Sequence, residues 1–322
     1  MDNLEIRTCA NIALVKYWGK SDLPGNIPAV GSVSIGLEGL ATVTRMQVHD
    51  GSIDHITING DNGGAAVARV QKFLNRARDL YGRTECFEVR SSNNFPTGTG
   101  LASSASGFAA LALGVDKLLS LGLTRQAVSQ LAREGSGSAA RSVFGGFVEM
   151  HAGPEAFASK ITDGATWPLE VVITLTSAAP KETGSTEGME LSKRTSPFFE
   201  SWINTHEADL SIAREAIAER DFEKLATVSE HSCLKMHATI MASRPGVLYW
   251  NGTTIDVIHR VRALRKQGIP VFFTIDAGAQ VKVVCMPGGA ESVEKELLAI
   301  PGVIETISTF IGGEPQITRT SH

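Results

Sequence analysis

One segment restricts the fold more than any other: Phe95-Pro96-Thr97-Gly98-Thr99-Gly100-Leu101-Ala102-Ser103-Ser104-Ala105-Ser106-Gly107. A stretch of Ser, Asn, Pro, Thr and Gly passes directly into an Ala/Leu-rich helix expected over 102–121. Gly98 and Gly100 let the backbone turn tightly and approach a ligand. The first turn of the helix presents unpaired N–H groups and the positive end of its dipole, a combination that binds phosphate. Ser103 and Ser104 fall in that turn, where a hydroxyl reaches phosphate or Mg²⁺. No Gly-Lys-Ser/Thr follows, so this is not the common P-loop. On its residues alone the segment is either a phosphate cradle or an ordinary glycine-rich loop with a serine cap.

The surrounding chain alternates strand and helix. Residues 41–48 and 55–58 read as strands, the second ending in an Asn59-Gly60 turn. Over 64–81 the period changes: Val67, Val70, Phe73, Leu74, Ala77 and Leu80 fall at helical spacing, and Gly82 supplies a stop. A short strand is expected at 86–89. Thr124 caps a second helix that ends near Gly135, and 143–150 and 170–176 read as strands. A boundary is expected within 177–188. Beyond it, 197–220, 222–243 and 253–267 carry helical periodicity. Strands at 271–275 and 281–286 flank Asp276-Ala277-Gly278-Ala279, and a helix is expected at 293–300. The pattern is α+β in two lobes, 1–180 and 181–322.

A chain of 322 residues suits two ordinary domains, and 43% hydrophobic with 20% charged residues is ordinary globular composition. The net charge of −4 gives no overall basic footprint for nucleic acid, though a local basic pocket for a small anion remains open. No apolar run approaches the ~20 residues that cross a bilayer. Residues 1–8 include Asp2 and Glu5 and lack the apolar core of a signal peptide. Cys9, Cys86, Cys233 and Cys285 show no paired spacing, which predicts reduced thiols and a cytoplasmic location.

Three more segments carry chemistry. Lys16 and Lys20 bracket Tyr17 and Trp18 after an apolar stretch. That grouping suits an anionic ligand with an apolar part, and equally a strand leading into a solvated turn. In Ser136-Gly137-Ser138-Ala139-Ala140-Arg141-Ser142 the small residues permit close approach. Its single arginine can grip a carboxylate through two parallel hydrogen bonds, or simply sit on a turn. Asp276 lies between two apolar strands, where a carboxylate is costly to bury unless paired or functional. Asp before Gly is also a common turn residue.

Together these segments resemble the GHMP kinase superfamily, most closely its mevalonate diphosphate decarboxylase branch. The Gly-Leu-Ala-Ser-Ser-Ala form of the loop, Asn11-Ile12-Ala13-Leu14-Val15-Lys16-Tyr17-Trp18-Gly19-Lys20, the Ser136–Ser142 segment and Thr274-Ile275-Asp276-Ala277-Gly278 carry the likeness. Lys181-Glu182-Thr183-Gly184-Ser185-Thr186-Glu187-Gly188-Met189 resembles a further family loop, with Gly184 in place of its first serine. The resemblance implies a two-lobed GHMP kinase fold, with an N-terminal ribosomal-protein-S5-like β/α lobe and a C-terminal ferredoxin-like α+β lobe. It implies ATP and Mg²⁺, with Pro96, Gly98, Gly100, Leu101, Ala102, Ser103 and Ser104 at the nucleotide and Ser103 at the metal. Asp276 would be the acid/base near the substrate 3-hydroxyl, Arg141 would hold the carboxylate, and Lys16 would neutralise charge. Tyr17, Trp18, Lys20, Ser136, Ser138 and Ser185 would contact substrate. The implied reaction converts mevalonate 5-diphosphate to isopentenyl diphosphate, ADP, phosphate and CO₂. A homodimer is a further family expectation, without a legible dimer patch.

The family's Pro-Asn after Asp-Ala-Gly is Ala279-Gln280 here, and Val30 stands where an asparagine usually precedes Ser32 and Ser34. His231, Cys233 and His237 form a decoy metal set: positions two apart on a helix face different ways, and no fourth ligand is evident. Three rival functions remain: decarboxylation of mevalonate 5-phosphate, a kinase without decarboxylation, and a non-catalytic nucleotide-binding regulator. The segments Lys16-Tyr17-Trp18-Gly19-Lys20 and Ser138-Ala139-Ala140-Arg141-Ser142 speak against the kinase, and Asp276, Arg141, Ser103 and Lys16 against the regulator.

Overall fold

The two longest strands set the architecture. In the computed structural model, which describes residues 3–95 and 103–320, β1 (Asn3–Val15) and β2 (Ser32–His49) pair antiparallel. Register shifts between Cys9 and Ala10 and between Ala13 and Val15 interrupt the ladder, and such irregularities bend strands. Along its other edge β2 serves two neighbours. Its later residues pair with β4 (Cys86–Asn93) and its first with β5 (Phe147–Met150). β3 (His55–Ile58) lies parallel to β4, β6 (Ala158–Thr162) pairs with β5, and β11 (Gln316–Thr320) lies beside β1. The result is a seven-stranded sheet.

The first half of β1 alternates half-buried and buried residues, as a strand covered on one face must. The cover is α1 (Gly64–Tyr81), α2 (Ser103–Leu118) and α3 (Arg125–Gly135). Leu4, Ile6 and Met46 of the sheet share one core with Phe73 and Leu74 of α1, Ala109 and Leu113 of α2 and Val128 of α3. Thr124 caps α3, its side chain accepting from the Ala127 N–H, and Gly82 ends α1 in the left-handed conformation.

The second sheet has the order β10-β7-β9-β8, from β7 (Glu170–Leu175), β8 (Val271–Ile275), β9 (Val281–Cys285) and β10 (Glu305–Phe310). β8 and β9 are buried at every position, so both faces of the sheet are covered. Val172, Phe273 and Val283 share a core with α8 (Gly252–Lys266) and α9 (Ala290–Leu298). Val171, Ile173, Phe272 and Val284 join Ile12, Leu14, Val33 and Ile35 of the first sheet. Ala213 of α6 (His206–Glu219) and Leu225 of α7 (Phe222–Met241) belong to the same cluster. One apolar core thus spans both lobes. α4 (Ser185–Thr195) and α5 (Phe199–Asn204) lie ahead of α6 in the chain.

The α+β expectation holds, and the helices at 64–81, 222–243 and 253–267 fall where periodicity places them. Three details differ. The apolar period over 197–220 runs through a break at Thr205, which separates α5 from α6. Residues 143–150 are not one strand: Gly137–Val143 is a 3-10 turn, and the strand begins at Phe147. The division at 180/181 does not follow the sheets, because β7 pairs with β9 and β10 of the second sheet while β11 returns to the first.

Leu74, fully buried in the α1 layer, tests that packing. Leu74→Ala is expected to lower unfolding free energy by about 2–5 kcal/mol in urea denaturation followed by circular dichroism.

Candidate active site

A cavity of about 1130 Å³ opens between the lobes. Its walls come from the end of β1, the loop after β8, the 3-10 turn, the first turns of α2 and α4, and one face of α1.

Lys16 follows the last residue of β1 and is 1% exposed. Its backbone N–H donates to Ser232 Oγ of α7 at 2.9 Å. Its ammonium donates to the Ala13 carbonyl at 2.9 Å and to Asp276 Oδ1 at 2.7 Å. Asp276 follows β8, with its side chain 26% exposed at the cavity wall. Its second oxygen lies 3.4 Å from Lys282 Nζ. Burial alone would raise the Asp276 pKa, but Lys16, then Lys282 and Arg141, hold it well below the usual carboxylate value. Asp276 is therefore a carboxylate at any physiological pH.

Arg141 is 3% exposed. Its Nε donates to Asn11 Oδ1 at 3.1 Å and its Nη1 to Ser32 Oγ at 2.7 Å. Asn11 is itself held, donating to the Ser138 carbonyl at 3.1 Å and Ser142 Oγ at 2.7 Å. Arg141 Nη2 has no hydrogen-bond partner among the described residues, and the guanidinium borders the cavity 5.7 Å from the Tyr17 ring centroid. Burial lowers the Arg141 pKa to about 10, so the group remains a cation that favours an incoming anion.

The Tyr17 hydroxyl is buried and unpartnered among the described residues, which leaves a donor for a ligand. Its place depends on Gly137, because a Cβ there would lie 2.3 Å from the hydroxyl oxygen. Burial pushes the Tyr17 pKa up to about 12, so the hydroxyl keeps its proton. Ser104, Ser136 and Ser138 line up as a hydroxyl chain, with Oγ separations of 3.3 Å and 3.2 Å. Lys20 donates to Asn26 Oδ1 at 2.8 Å and Thr186 Oγ1 at 3.2 Å, and burial lowers its pKa. Ser185 opens α4 and accepts from Lys181 Nζ at 2.7 Å. Trp18 is wall: its N–H donates to Ser192 Oγ at 3.2 Å, and its ring meets Tyr249 edge-on.

Ser103 and Ser104 line the cavity from the first turn of α2, which carries no acidic residue and so presents an unopposed dipole to an anion. The remaining loop residues expected at the nucleotide, Pro96, Gly98, Gly100, Leu101 and Ala102, lie outside the described residues. Cys233 and His237 are tied to one strand end: Cys233 Sγ accepts from the Ile275 N–H at 3.2 Å, and His237 Nε2 lies 3.2 Å from the Ile275 carbonyl. His231 is on the surface, 3.9 Å from Asp209.

Sequence reasoning missed several cations of this cavity. Lys181 donates to the Ala277 carbonyl at 3.2 Å, beside Asp276. Arg69 and Lys72 line it from α1, and Arg69 also reaches the Gly135 carbonyl at 3.3 Å. Their three-residue spacing on the helix was the available signal. Lys282 gave a weaker one, a lysine inside an apolar strand.

Known proteins share this arrangement of chain and fold. Residues 8–161 match the family described as diphosphomevalonate decarboxylase-like N-terminal domain, and 171–319 match the mevalonate 5-diphosphate decarboxylase C-terminal domain. The chain is 33% identical to the diphosphomevalonate decarboxylase of Candida albicans, over 100% of this chain and 99% of that protein. It is 32% identical to the phosphomevalonate decarboxylase of Haloferax volcanii, over 96% and 95%. The mevalonate diphosphate decarboxylase structure from Staphylococcus aureus superposes with a TM-score of 0.92 at 33% identity, covering 98% of each chain. A structure described as MDDEF in complex with MVAPP, AMPPCP and magnesium superposes with a TM-score of 0.90 at 34% identity, covering 99% of each. The fold is that of the GHMP kinases, and the chain belongs to the diphosphomevalonate decarboxylase family.

Proposed function

We propose that the protein catalyses the ATP-dependent decarboxylation of (R)-mevalonate 5-diphosphate to isopentenyl diphosphate, ADP, phosphate and CO₂, a step of isoprenoid biosynthesis. One observation carries this reading: buried Arg141, with an open guanidinium edge, and ion-paired Asp276 border the same cavity from opposite lobes. A phosphoryl-transfer enzyme needs an oxygen acceptor near the alcohol. A decarboxylase also needs a cation that holds the substrate carboxylate in place, which buried Arg141 supplies.

ATP supplies the phosphoryl group that makes the 3-hydroxyl a leaving group, and Mg²⁺ offsets phosphate charge. Ser103 and Ser104, with the N-terminus of α2, are the residues that would hold them. Asp276 accepts a hydrogen bond from the 3-hydroxyl and takes its proton as the oxygen–phosphorus bond forms. Its low proton affinity suits a loose transition state, in which the alcohol becomes acidic only late. Lys16 fixes one Asp276 oxygen. Arg141 holds the carboxylate in line while the phosphate leaves C3. The electron pair of the breaking carbon–carboxylate bond then becomes the alkene, and CO₂ departs. Tyr17, Ser136, Ser138, Ser185, Lys20 and Arg69 provide donors and cations for the diphosphate. The free cysteines fit a reducing cytoplasm, and no described helix is long and apolar enough to cross a membrane.

A second reading, with mevalonate 5-phosphate as substrate, draws support from the Haloferax volcanii relative. The test follows ADP and CO₂ together, with Mg-ATP and each mevalonate ester in turn. Equal ADP and CO₂ from the diphosphate alone is the expected result. CO₂ from the monophosphate transfers the assignment to that substrate, and ADP without CO₂ makes the protein a kinase.

Two variants test the roles. Asp276→Asn is expected to bind ATP normally, by calorimetry, and to lose about 10²–10⁴-fold in kcat. Arg141→Lys keeps a cation but not the planar fork, so kcat/KM for the mevalonate ester is expected to fall by about 10-fold or more, while KM for ATP holds.

A further inference from the structure

Lys282 stands on β9 directly across from Thr274 of β8 and is 1% exposed. Every other residue of that strand is Val or Cys. A buried ammonium in such a strand is strongly unfavourable unless paired. Burial lowers the Lys282 pKa, and Asp276 opposes that shift. The charge of Asp276 is already met by Lys16 at 2.7 Å, so neutralisation alone does not call for a second lysine. What Lys282 adds is geometric. Lys16 takes Oδ1 from the end of β1 in one lobe, and Lys282 approaches Oδ2 from β9 in the other. A carboxylate gripped at both oxygens cannot turn about its Cβ–Cγ bond.

We propose that Lys282 is a positioning residue for decarboxylation: by holding the second oxygen of Asp276 it fixes the carboxylate plane toward the substrate hydroxyl. This rests on Asp276 acting at the 3-hydroxyl. The groups facing Asp276 are Lys16 after β1, Arg141 in the 3-10 turn, Lys181 before α4, Lys282 on β9, and Cys233 and His237 on α7. Burial holds His237 neutral, with its pKa lowered to about 3, and pushes the Cys233 thiol up to about 11. Of these groups, His237 and Cys233 are therefore uncharged near neutral pH. The Asp276 pKa is depressed, so its ion-pair stabilisation is present above the ordinary carboxylate value and is lost as pH falls through the folded value. Removing Lys282 takes away one cation and moves that loss to higher pH.

The experiment compares Lys282→Met, Lys282→Gln and Lys282→Arg with wild type. It reads kcat, KM for both substrates, Tm, and the ¹³C carboxyl titration of Asp276, assigned by its absence in Asp276→Asn. The neutral variants are expected to lose about tenfold or more in kcat, as general acid–base groups lose effect when misplaced, with both KM values within about threefold. Their Asp276 carboxyl is expected to titrate at higher pH, and Lys282→Arg to return kcat to within about threefold of wild type. Neutral variants with wild-type kcat, or a loss confined to KM, would overturn the proposal. If neither neutral variant folds, Lys282→Arg decides: a kcat within about threefold and an unmoved Asp276 titration support the proposal, and a loss of about tenfold sinks it. The titration needs no substrate, so it separates this proposal from the assignment of the reaction, which fails by itself if wild type releases no CO₂.

Discussion

The site depends on the ion pair between Lys16 and Asp276. The two residues are 260 positions apart and follow strands of different sheets. Ala13 binds the pair to the backbone of both lobes: its carbonyl accepts from Lys16 Nζ at 2.9 Å and from Thr274 Oγ1 at 3.0 Å. Breaking one partner of a buried pair leaves an uncompensated charge, which costs about 3–5 kcal/mol. The pair draws one charge from each lobe. The shared core beneath, where Leu14 and Val33 meet Phe272 and Val284, sets the distance between the sheets at which the pair forms.

The opposite wall relies on smallness. Ser136 to Ala140 contains nothing larger than serine, so the 3-10 turn can lie against α2 and α3 while Arg141 remains buried. Asn11 ties that turn to β1 through Ser138 and Ser142 while orienting the Arg141 Nε. Asn11 of β1 thus sets the arginine, and Lys16, just past the end of that strand, sets the aspartate.

The local elements were legible because their signals are local. Helical periodicity located α1, α7 and α8, Gly82 marked the end of α1, and Thr124 marked the start of α3. The motif residues Lys16, Tyr17, Arg141, Ser136, Ser138 and Asp276 do gather at one cavity. Long-range features left no such trace. Nothing near 316–320 says that the chain returns to pair with β1. α4 was hidden because Gly184-Ser185-Thr186 reads as loop, whereas here it is the start of a helix. Lys282 is a single lysine in an apolar strand, and its partner is a carboxylate on the neighbouring loop.

The charge distribution explains why this cavity needs an anion. The chain carries −4 overall, yet Lys16, Lys20, Arg69, Lys72, Arg141 and Lys181 all line one cleft. Desolvation lowers the pKa of Lys20, Arg69, Arg141 and Lys181, which means that each cation is less favourable there than in water. Asp276 and Glu134 are the acids on that lining, and Glu134 pairs at 3.1 Å with Arg76, a further cation of the same lining. A ligand bearing several negative charges reverses this unfavourable balance, so part of the free energy of folding held in the cleft is recovered on binding. A substrate with a carboxylate at one end and phosphates at the other matches that distribution, since Arg141 and the α1 cations lie on different elements of the same wall.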